Sequence, residues 1–457
     1  MDPERHHIGR PQGMRAFTIV WAGQVVSLLG TTMAEFALMI WAWQVTGRAT
    51  TLSILAFFEF APMITLMPLA GVLVDRWDRK LTMALSDIAS CLATVAVLVL
   101  YASGRLQVWH LYITSAFSAA FQAFQWPAYS AAITTMMPKE HYARASGMIS
   151  LAQSGAGVLA PAVAGTLIAT TGLPLVLTID IVTCVVAVAA LTLVDVPRPV
   201  ASADGLAATG AWRHQLTFGI RYIMARPPLF WLQMLFIVCN LFAMLCHGVW
   251  SAMILARSAG ASTVLGFAKS ASAIGFGLGG LLLTFWHGPP RKVDAVLWAM
   301  LTTATVGGVL VGLGRSLPVW AFAGFCGSLA LPVMNGFSQT IWQRKVPADL
   351  QGRVFSARMQ LQQIVTPLAM IAAGTLADHV FEPAMVPGGG MVRVFGPLLG
   401  TGNGAGMAAM FVVFGTLQTI AATAGFFIRP IRHIDALLPD AVQNGGSSTV
   451  TSGPQEA

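Results

Sequence analysis

The stretch Gly71-Val72-Leu73-Val74-Asp75-Arg76-Trp77-Asp78-Arg79-Lys80 places a short charged turn between two long apolar runs. Five of the six residues from 75 to 80 are charged, and a row of charged side chains is not stable in hydrocarbon. The turn therefore predicts a cytoplasmic loop between two membrane-spanning helices, and it sets the orientation of the rest of the chain.

The composition indicates a membrane protein with many spans. Apolar residues make up 56% of the 457 residues, charged residues only 10%, and the mean hydropathy is +0.71, values outside the range of a soluble domain. A helix needs about 20 mostly apolar residues to cross a bilayer. Twelve runs meet this requirement, at residues 17–44, 51–72, 81–102, 108–136, 146–170, 173–194, 228–254, 263–286, 294–314, 317–343, 354–377 and 405–428.

The basic residues predict which loops face the cytoplasm. Of the 26 Lys and Arg residues, we assign 20 to the cytoplasmic side, including the cytoplasmic ends of spans, Lys269 to the interior of a span, and five to the outside. The five exceptions are Arg48, Arg105, Arg257, Arg315 and Arg393. Cytoplasmic loops carry the excess of Lys and Arg, so a multi-pass protein of the cell inner (plasma) membrane with both termini in the cytoplasm is expected. The net charge of +8 then reflects topology and contact with anionic lipid, and it does not indicate nucleic-acid binding.

The quoted stretch resembles the signature loop of the major facilitator superfamily, Gly-x-Leu-x-Asp-Arg-x-x-Arg-Lys/Arg. The matching residues are Gly71, Leu73, Asp75, Arg76, Arg79 and Lys80. The resemblance implies an all-α fold of twelve transmembrane helices in two pseudo-symmetric six-helix bundles, with the loop between helices 2 and 3. It also implies that Gly71, Asp75, Arg76, Arg79 and Lys80 act in gating, and that Asp75 contacts the start of span 11 near Arg353 when the cytoplasmic side is shut.

The chain contains a repeat of itself at a shift of 209 residues. Ala164-Gly165-Thr166-Leu167 aligns with Ala373-Gly374-Thr375-Leu376, and Gln24 aligns with Gln233. The segment Pro138-x-Glu140-x-x-x-Arg144 aligns with Pro347-x-Asp349-x-x-x-Arg353, which adds Arg144 to the predicted gating residues. The repeat predicts two six-helix halves of the kind found in secondary transporters.

The repeat and the composition divide the chain into five regions. We expect a cytoplasmic N-terminal segment at 1–16, bundles at 17–194 and 228–428, and a linker at 195–227 with an interfacial helix that includes Trp212 and Ile223. The glycine-rich stretch 378–404 is interpreted as an outside loop, either a mobile lid or a disordered connector. The polar segment 429–457 is interpreted as a disordered cytoplasmic tail.

Two further resemblances concern transport. Gly147, Ala156 and Ala160-Pro161-x-x-Ala164-Gly165 keep the spacing of the antiporter motif of drug/proton exchangers, with alanine at three of its glycine positions. Small residues at this spacing are also what close helix packing uses. The stretches Ala123-Phe124-Gln125-Trp126-Pro127-Ala128 and Trp342-Gln343-Arg344-Lys345-Val346-Pro347 are similar to the branch that includes macrolide efflux pumps and the enterobactin exporter.

Enzyme-like and cofactor-binding readings find little support. Gly275-x-Gly277-x-Gly279-Gly280 fits a dinucleotide fingerprint literally, but it lies inside an apolar span and is better explained by membrane packing. The sequence holds no nucleotide-binding loop, so an ion gradient is the expected energy source. The five cysteines lie in predicted spans without paired spacing, and we expect no cofactor, no disulfide and no metal site.

Four carboxyl groups lie within predicted spans: Glu35, Glu59, Asp87 and Asp180. Ionisable groups cost about 2.5 to 3.5 kcal/mol each on insertion scales and are usually functional. Glu35 lies near the middle of span 1, so it is predicted to exchange protons, with a permanently protonated packing role as the alternative; Glu59 is a second candidate. Asp87 is interpreted as a partner of the 76–80 loop, and Asp180 as a structural residue bonded locally to Thr178 and Thr183.

The helices expected to face a central cavity carry hydrogen-bonding groups among Phe, Met and Leu. The candidates for a substrate cavity are Gln24, Gln122, Gln125, Trp126, Gln233, Asn240, His247, Asn335 and Gln339. A large, mostly apolar cavity with scattered polar groups suits a bulky lipophilic solute better than a sugar or a phosphate. The 22 methionines would help such a wall adapt to ligands of different shape.

Glu59 and Lys269 are predicted to meet across the two halves. Glu59 maps to position 268 under the 209-residue shift, so pseudo-symmetric spans 2 and 8 carry opposite charges at almost the same depth. We expect an ion pair that holds the outward gate shut. A lysine whose side chain extends towards the membrane surface, or one that binds an anionic substrate, is the alternative.

These features predict a monomeric secondary transporter and not an enzyme. The expected activity is export of a bulky amphiphilic small molecule, such as a drug, a macrolide-like natural product or a siderophore, in exchange for protons. Two alternatives stay open: an ion-coupled importer of a hydrophilic solute, and a membrane sensor that does not transport.

Overall fold

A computed structural model describes residues 13–74, 77–136, 142–194, 219–286, 288–347 and 351–440. Its long helices are α1 (Gly13–Thr46), α2 (Ala49–Val74), α3 (Arg79–Ala102), α4 (Val108–Met136), α5 (Tyr142–Thr171), α6 (Leu173–Leu193), α7 (Pro227–Arg257), α8 (Ser262–Phe285), α9 (Lys292–Leu313), α10 (Leu317–Lys345), α11 (Gln351–Gln363 and Thr366–Leu376) and α12 (Ala405–Gly425). The all-α fold is confirmed, and each predicted span corresponds to one of these long helices, with helix ends mostly within a few residues of the expected ones.

Eleven of these helices are long and apolar enough to cross a membrane. The twelfth, α4, has 29 residues, and its described part is not among these eleven. Two of the described helices contain π-helical turns. One is Thr305–Leu310 within α9, and the other is Ala377–Phe381, which continues α11 beyond Leu376. In α9 the turn brings Gly307 against Gly327 of α10 and Gly308 against Gly415 of α12, where a side chain would not fit.

The helices form two six-helix bundles, α1–α6 (the N-half) and α7–α12 (the C-half). Within the N-half, α1 packs on α6, and α4 packs on both α2 and α3. Within the C-half, α10 packs on both α8 and α9, and α7 packs on α12. The halves meet where α5 packs on α8 and where α2 packs on α7 and α11.

One end of the bundle carries the loops predicted to lie outside the cell, and we call it the outer end; the other is the inner end. A single apolar core at the outer end includes buried residues of both halves, for example Phe36, Leu255 and Ala373. Towards the inner end the core divides, with one cluster around Phe17 and Met83 in the N-half and another in the C-half. Among the described residues the halves therefore share a core only at the outer end, which is closed.

Two irregular regions, the stretch 378–404 and the start of the polar tail, differ from expectation. The stretch 378–404 is not a disordered connector: α11 continues through Glu382–Ala384, and a further helix spans Val392–Leu399. Arg257 and Arg315 hold this helix by donating hydrogen bonds to the carbonyls of Leu399 and Leu398, each at 2.7 Å. Such contacts fix the segment in place, so the lid interpretation gains no support.

The start of the predicted polar tail is also ordered. Short helices occupy Arg429–Arg432 and Ile434–Leu437, and the buried Lys345 pairs with Asp435 and Asp440 at 3.1 and 2.9 Å. Residues 441–457 lie outside the described residues. Most of the predicted interfacial helix does as well, although residues 219–224 are helical.

Several predicted gating residues fall outside what the structure describes. Asp75 and Arg76 are in this group, so the predicted contact of Asp75 with span 11 stays a prediction. Gly71, Arg144, Gly147 and Arg353 lie in helices, but only their backbone is described, and the same holds for Trp126. Lys80 donates to the carbonyls of Thr192 and Val194 at 3.4 and 2.5 Å, which ties the start of α3 to the end of α6.

Candidate functional site

A small polar cavity of about 70 Å³ lies within the N-half. Three carboxyl groups from three helices line it: Glu35 of α1, Glu59 of α2 and Asp180 of α6. The remaining lining residues are mainly hydroxyl-bearing or small, namely Thr31, Ala34, Leu38, Ser90, Ala93, Thr94, Val97, Thr114, Ser115, Ser118, Ala119 and Gln122. Three acids in one membrane-embedded cavity form the strongest concentration of ionisable groups in the described part of the N-half interior.

Asp180 is held firmly in this cavity. Its carboxylate accepts hydrogen bonds from Thr31 at 2.9 Å and Thr94 at 2.6 Å, and the residue is 3% exposed. The predicted local partners are wrong, because Thr178 bonds the carbonyl of Pro174, and Thr183 bonds the backbone carbonyl of Asp180 itself. Asp180 therefore belongs to the same polar cluster as Glu35, whereas the sequence interpretation had given these two residues separate roles.

Glu35 is the most accessible acid of the three. Its side chain is exposed, and the surface that it exposes faces the cavity, beside Gln122 of α4. A negative charge on Glu35 is repelled by Glu59 and Asp180 and attracted by Lys269. Glu35 thus lies among charges of both signs, with Gln122 as its hydrogen-bonding neighbour.

The predicted ion pair between Glu59 and Lys269 is not formed, although the outer end is closed. Lys269 instead lies beside α1, with its Nζ 3.8 Å from the sulfur of Met39 and 5.6 Å from the centre of the Phe36 ring. Met39 is one helical turn from Glu35, so the ammonium group lies close to the carboxyl cluster without a direct bond to it. Lys269 acts on Glu59 and Glu35 through space.

A larger cavity of about 410 Å³ lies within the C-half. Asn240, His247 and Asn335, all predicted cavity residues, line it together with Met, Phe, Trp and small residues. Among the described residues of its lining, His247 alone belongs to the types His, Lys, Arg, Asp and Glu. The two halves thus enclose contrasting spaces: the N-half cavity is small and acidic, and the C-half cavity is large and mostly apolar.

Four other predicted cavity residues line neither cavity. Gln24 and Gln125 donate to the buried carboxylate of Asp87 at 2.8 and 2.6 Å, whereas Lys80, from the 76–80 loop predicted to partner Asp87, bonds the carbonyls of Thr192 and Val194. In the C-half, Gln339 accepts from the buried Arg358 at 2.9 Å, and Gln233 donates to the carbonyl of Arg358 at 3.4 Å. These glutamines satisfy buried charged residues and are structural in this form of the protein.

Between the halves, the outer end is closed along two seams. In the first seam, α2 packs on α7 and α11: Ser53 donates to the carbonyl of Gly248 at 3.0 Å, and the carboxylate of Asp378 accepts the backbone N–H groups of Ala49 and Thr50 at 3.1 and 2.8 Å. Gly374 lies so close to α2 that a Cβ atom there would be 2.6 Å from the Cα of Thr50.

In the second seam, α5 packs on α8. Ser262 donates to the carbonyl of Gly165 at 2.9 Å, and Ser270 donates to the carbonyl of Val158. A Cβ atom at Gly266 would lie 2.5 Å from the carbonyl oxygen of Pro161. Pro161 and Gly165 of the antiporter-like motif, and Ala160 directly before Pro161 in the buried core, are thus part of an inter-half packing surface.

Glycines in the apparent dinucleotide fingerprint also serve helix packing, as predicted. A Cβ atom at Gly275 or Gly279 would lie 2.2 Å from the carbonyl oxygen of Phe325 or Leu329 in α10. The sequence interpretation missed Asp378, Ser53 and Ser262. The repeat offered signals for these residues. Asp378 lies two residues after the repeated segment Ala373-Gly374-Thr375-Leu376, and Ser53 aligns with Ser262 under the 209-residue shift.

Known proteins resemble this chain over most of its length. It is 25% identical over 367 residues to macrolide efflux protein A of Streptococcus pyogenes, covering 80% of this chain and 90% of that protein. It is 28% identical over 371 residues to the uncharacterized MFS-type transporter YfiS of Bacillus subtilis, covering 79% and 86%. It is 27% identical over 362 residues to the multidrug efflux pump Tap of Mycolicibacterium fortuitum, covering 76% and 85%.

Solved structures with the same fold include two inward-facing transporters. The unoccupied form of a bacterial homolog of the human lysosomal transporter Spinster superposes with a TM-score of 0.69 at 17% identity, covering 93% of this chain and 99% of that one. A bacterial homologue of the iron transporter ferroportin gives 0.64 at 15% identity, covering 90% and 98%. The family model of the Major Facilitator Superfamily matches residues 20–370. A match that runs through both related six-helix halves means that this chain belongs to the Major Facilitator Superfamily of membrane transporters.

Proposed function

We propose that the protein exports a bulky amphiphilic small molecule, in exchange for protons, by alternating access. The observation that carries this proposal is the division of the interior into an acidic N-half cavity and a larger apolar C-half cavity. The first can bind and release protons, and the second can receive the apolar body of a substrate.

The C-half cavity supports the substrate class. Its volume of about 410 Å³ falls in the range of small-molecule sites, and its wall combines aromatic and methionine side chains with a few polar groups. Met244, Met300 and Met334 have flexible side chains that can fit ligands of different shape. His247, Asn240 and Asn335 would orient a substrate by hydrogen bonds.

The N-half cavity supports the coupling ion. In our proposal Glu35 carries the exchanged proton, Glu59 is a second proton-binding group, and Asp180 is a fixed charge held by Thr31 and Thr94. Lys269 supplies a positive charge from the C-half, next to Met39 on α1. Movement of the halves would carry this charge towards or away from the acids, which links proton binding to the conformational change.

The direction of transport and the setting are part of the same proposal. The names of two relatives describe efflux, of macrolides in one case and of several drugs in the other. The distribution of Lys and Arg favours an inner-membrane protein with both termini in the cytoplasm. We propose that it acts as a monomer of two half-bundles, without cofactor or nucleic acid.

The test uses inverted vesicles or proteoliposomes with an imposed pH gradient, acidic inside. Wild-type protein should accumulate a radiolabelled macrolide or a lipophilic dye only while the gradient is present. Glu35→Gln should abolish uphill accumulation, because an amide cannot exchange a proton, but should retain binding of the probe. Glu35→Asp keeps a carboxyl group and should retain part of the activity, and Asp294→Asn, in the first turn of α9, is the matched control.

Two results would contradict the proposal. Accumulation by wild-type protein that persists when the gradient is collapsed would exclude proton exchange as the driving force. Full gradient-dependent accumulation by Glu35→Gln would place the proton site on another residue, and Glu59→Gln would then be measured in the same way.

A further inference from the structure

The N-terminus of α2 lacks a cap from its own segment. The first N–H groups of a helix have no partner within the helix, and a side chain just before it usually accepts one of them. The residue before α2 is Arg48, whose side chain contains only donors. The hydroxyl of Thr46, two residues earlier, donates to the carbonyl of Ala42 and accepts only from the N–H of Arg48, at 3.4 Å.

The missing cap comes from the other half of the protein. Asp378 of α11 accepts the N–H of Ala49 with Oδ1 at 3.1 Å and the N–H of Thr50 with Oδ2 at 2.8 Å. A carboxylate also interacts favourably with the positive end of the helix dipole. Asp378 therefore forms a two-point cap on a helix that lies more than 300 residues away in sequence.

The backbone of α11 is shaped for this contact. Asp378 lies in the π-helical turn Ala377–Phe381, and Gly374, four residues earlier, allows α11 to approach the backbone of α2. Ser53, one turn into α2, adds its hydrogen bond to the carbonyl of Gly248. The cap is thus the terminal contact of the first seam.

We propose that Asp378 is the latch of the outer gate, a helix cap that forms between the halves when the outer end closes and breaks when it opens. The two bonds join helices of different halves, so they cannot survive separation of the first seam. Opening then leaves the N–H groups of Ala49 and Thr50 to water, and closing returns them to Asp378. The latch biases the transporter towards the outside-closed form seen here.

The latch has a predicted counterpart at the opposite end of the same helix pair. The signature-loop resemblance places Asp75, directly after α2, against the start of α11 when the cytoplasmic side is shut. In that arrangement Asp378 of α11 would cap the start of α2 when the outer gate is closed. Asp75, after α2, would cap the start of α11 when the cytoplasmic gate is closed. The Asp378 latch does not depend on the Asp75 contact.

The experiment measures the outer gate without substrate, so it is independent of the proposed proton exchange. Spin labels are placed at Ser103 and Ser316, which are exposed at the outer end of the N-half and C-half, in a background with Cys91 and Cys326 replaced by alanine. Pulsed electron paramagnetic resonance then gives the populations of short and long distances, which report the closed and open outer gate.

Asp378→Ala should raise the ratio of open to closed outer gate by roughly 2- to 30-fold, the effect expected from loss of a helix cap. Asp378→Asn keeps one acceptor oxygen and the shape of the side chain, and should give a smaller shift in the same direction. His379→Ala is the matched control, because this exposed neighbour has its hydrogen-bonding contact with the Thr375 carbonyl, one turn earlier in the same helix.

An unchanged ratio in Asp378→Ala would overturn the proposal, as would an equal shift in His379→Ala. Should Asp378→Ala fail to elute as a monodisperse protein, Asp378→Asn decides alone: a wild-type ratio in that variant refutes the latch. Normal transport by either aspartate variant is compatible with the proposal only if the distance populations have shifted.

Discussion

The two seams at the outer end are built from the same repeated sequence, yet they close in different ways. Gly374 and Ser53 of the first seam align with Gly165 and Ser262 of the second under the 209-residue shift. In both, the glycine lets two helices approach, and the serine donates a hydrogen bond to a backbone carbonyl of the other half. An internal duplication thus accounts for a pair of matched contact surfaces.

The difference between the seams is electrostatic. The first ends in the carboxylate of Asp378 on the start of α2, whereas the aligned position in the second seam is Ala169. The second seam continues deeper, with Gly266 on the carbonyl of Pro161 and Ser270 on the carbonyl of Val158. We therefore expect the second seam to depend on side-chain volume, and the first to depend on both volume and charge.

The largest effect should come from adding a methyl group at the closest approaches. Gly374→Ala and Gly266→Ala would place a Cβ atom 2.6 Å from the Cα of Thr50 and 2.5 Å from the oxygen of Pro161. Overpacking costs about 1–3 kcal/mol, and backbone atoms cannot move aside easily, so each variant should open the outer end. The outer-label distances should lengthen in both variants.

Gly280→Ala serves as the control for this pair. Gly280 is exposed on α8, and nothing lies within 4 Å of its added Cβ atom. Replacing this glycine by alanine should only stabilise the helix, by up to about 1 kcal/mol. Similar distances in Gly374→Ala and the wild type would show that the first seam tolerates added volume at this closest approach.

An intermediate effect is expected from the two seam hydroxyls. Ser53→Ala and Ser262→Ala each remove one hydrogen bond between the halves, worth about 0.5–1.5 kcal/mol. Because the serines are related by the repeat, the two variants should shift the outer-label populations by similar factors. A large shift in only one of them would show that the seams differ in more than the Asp378 cap.

The smallest effect is expected at Gly157 of α5. Its added Cβ atom would lie 3.4 Å from the Cβ of Ala273 in α8, so a displacement of a few tenths of an ångström accommodates it. The gain in helix propensity offsets part of the strain. Gly157→Ala should therefore keep the outer-label populations within about twofold of wild type, since 0.4 kcal/mol corresponds to that factor. A shift as large as that of Gly266→Ala would mean that the second seam is tightly packed along its whole length.

Site residues could be predicted where the signal lies in neighbouring residues, but not where the partners are far apart in the sequence. Glu35, Asn240, His247 and Asn335 were identified because polar residues stand out in apolar spans, and each lines a cavity. The partners of Asp180 were not predictable, since Thr31 and Thr94 lie 149 and 86 residues away. Lys269 and Glu59 were predicted to lie at similar depth, but depth alone does not bring two side chains into contact.

The sequence by itself determined the twelve spans, their order and the duplication of the halves, because hydropathy, span length and repeat spacing are properties of consecutive residues. Only the tertiary structure decided which carboxyl groups share a cavity, where Lys269 lies, and that Asp378 caps α2. Those outcomes depend on how each helix is rotated about its axis and which helix lies beside it. A shift of one residue along a helix rotates the side-chain direction by about 100°. Packing between segments distant in sequence determines which helices are neighbours.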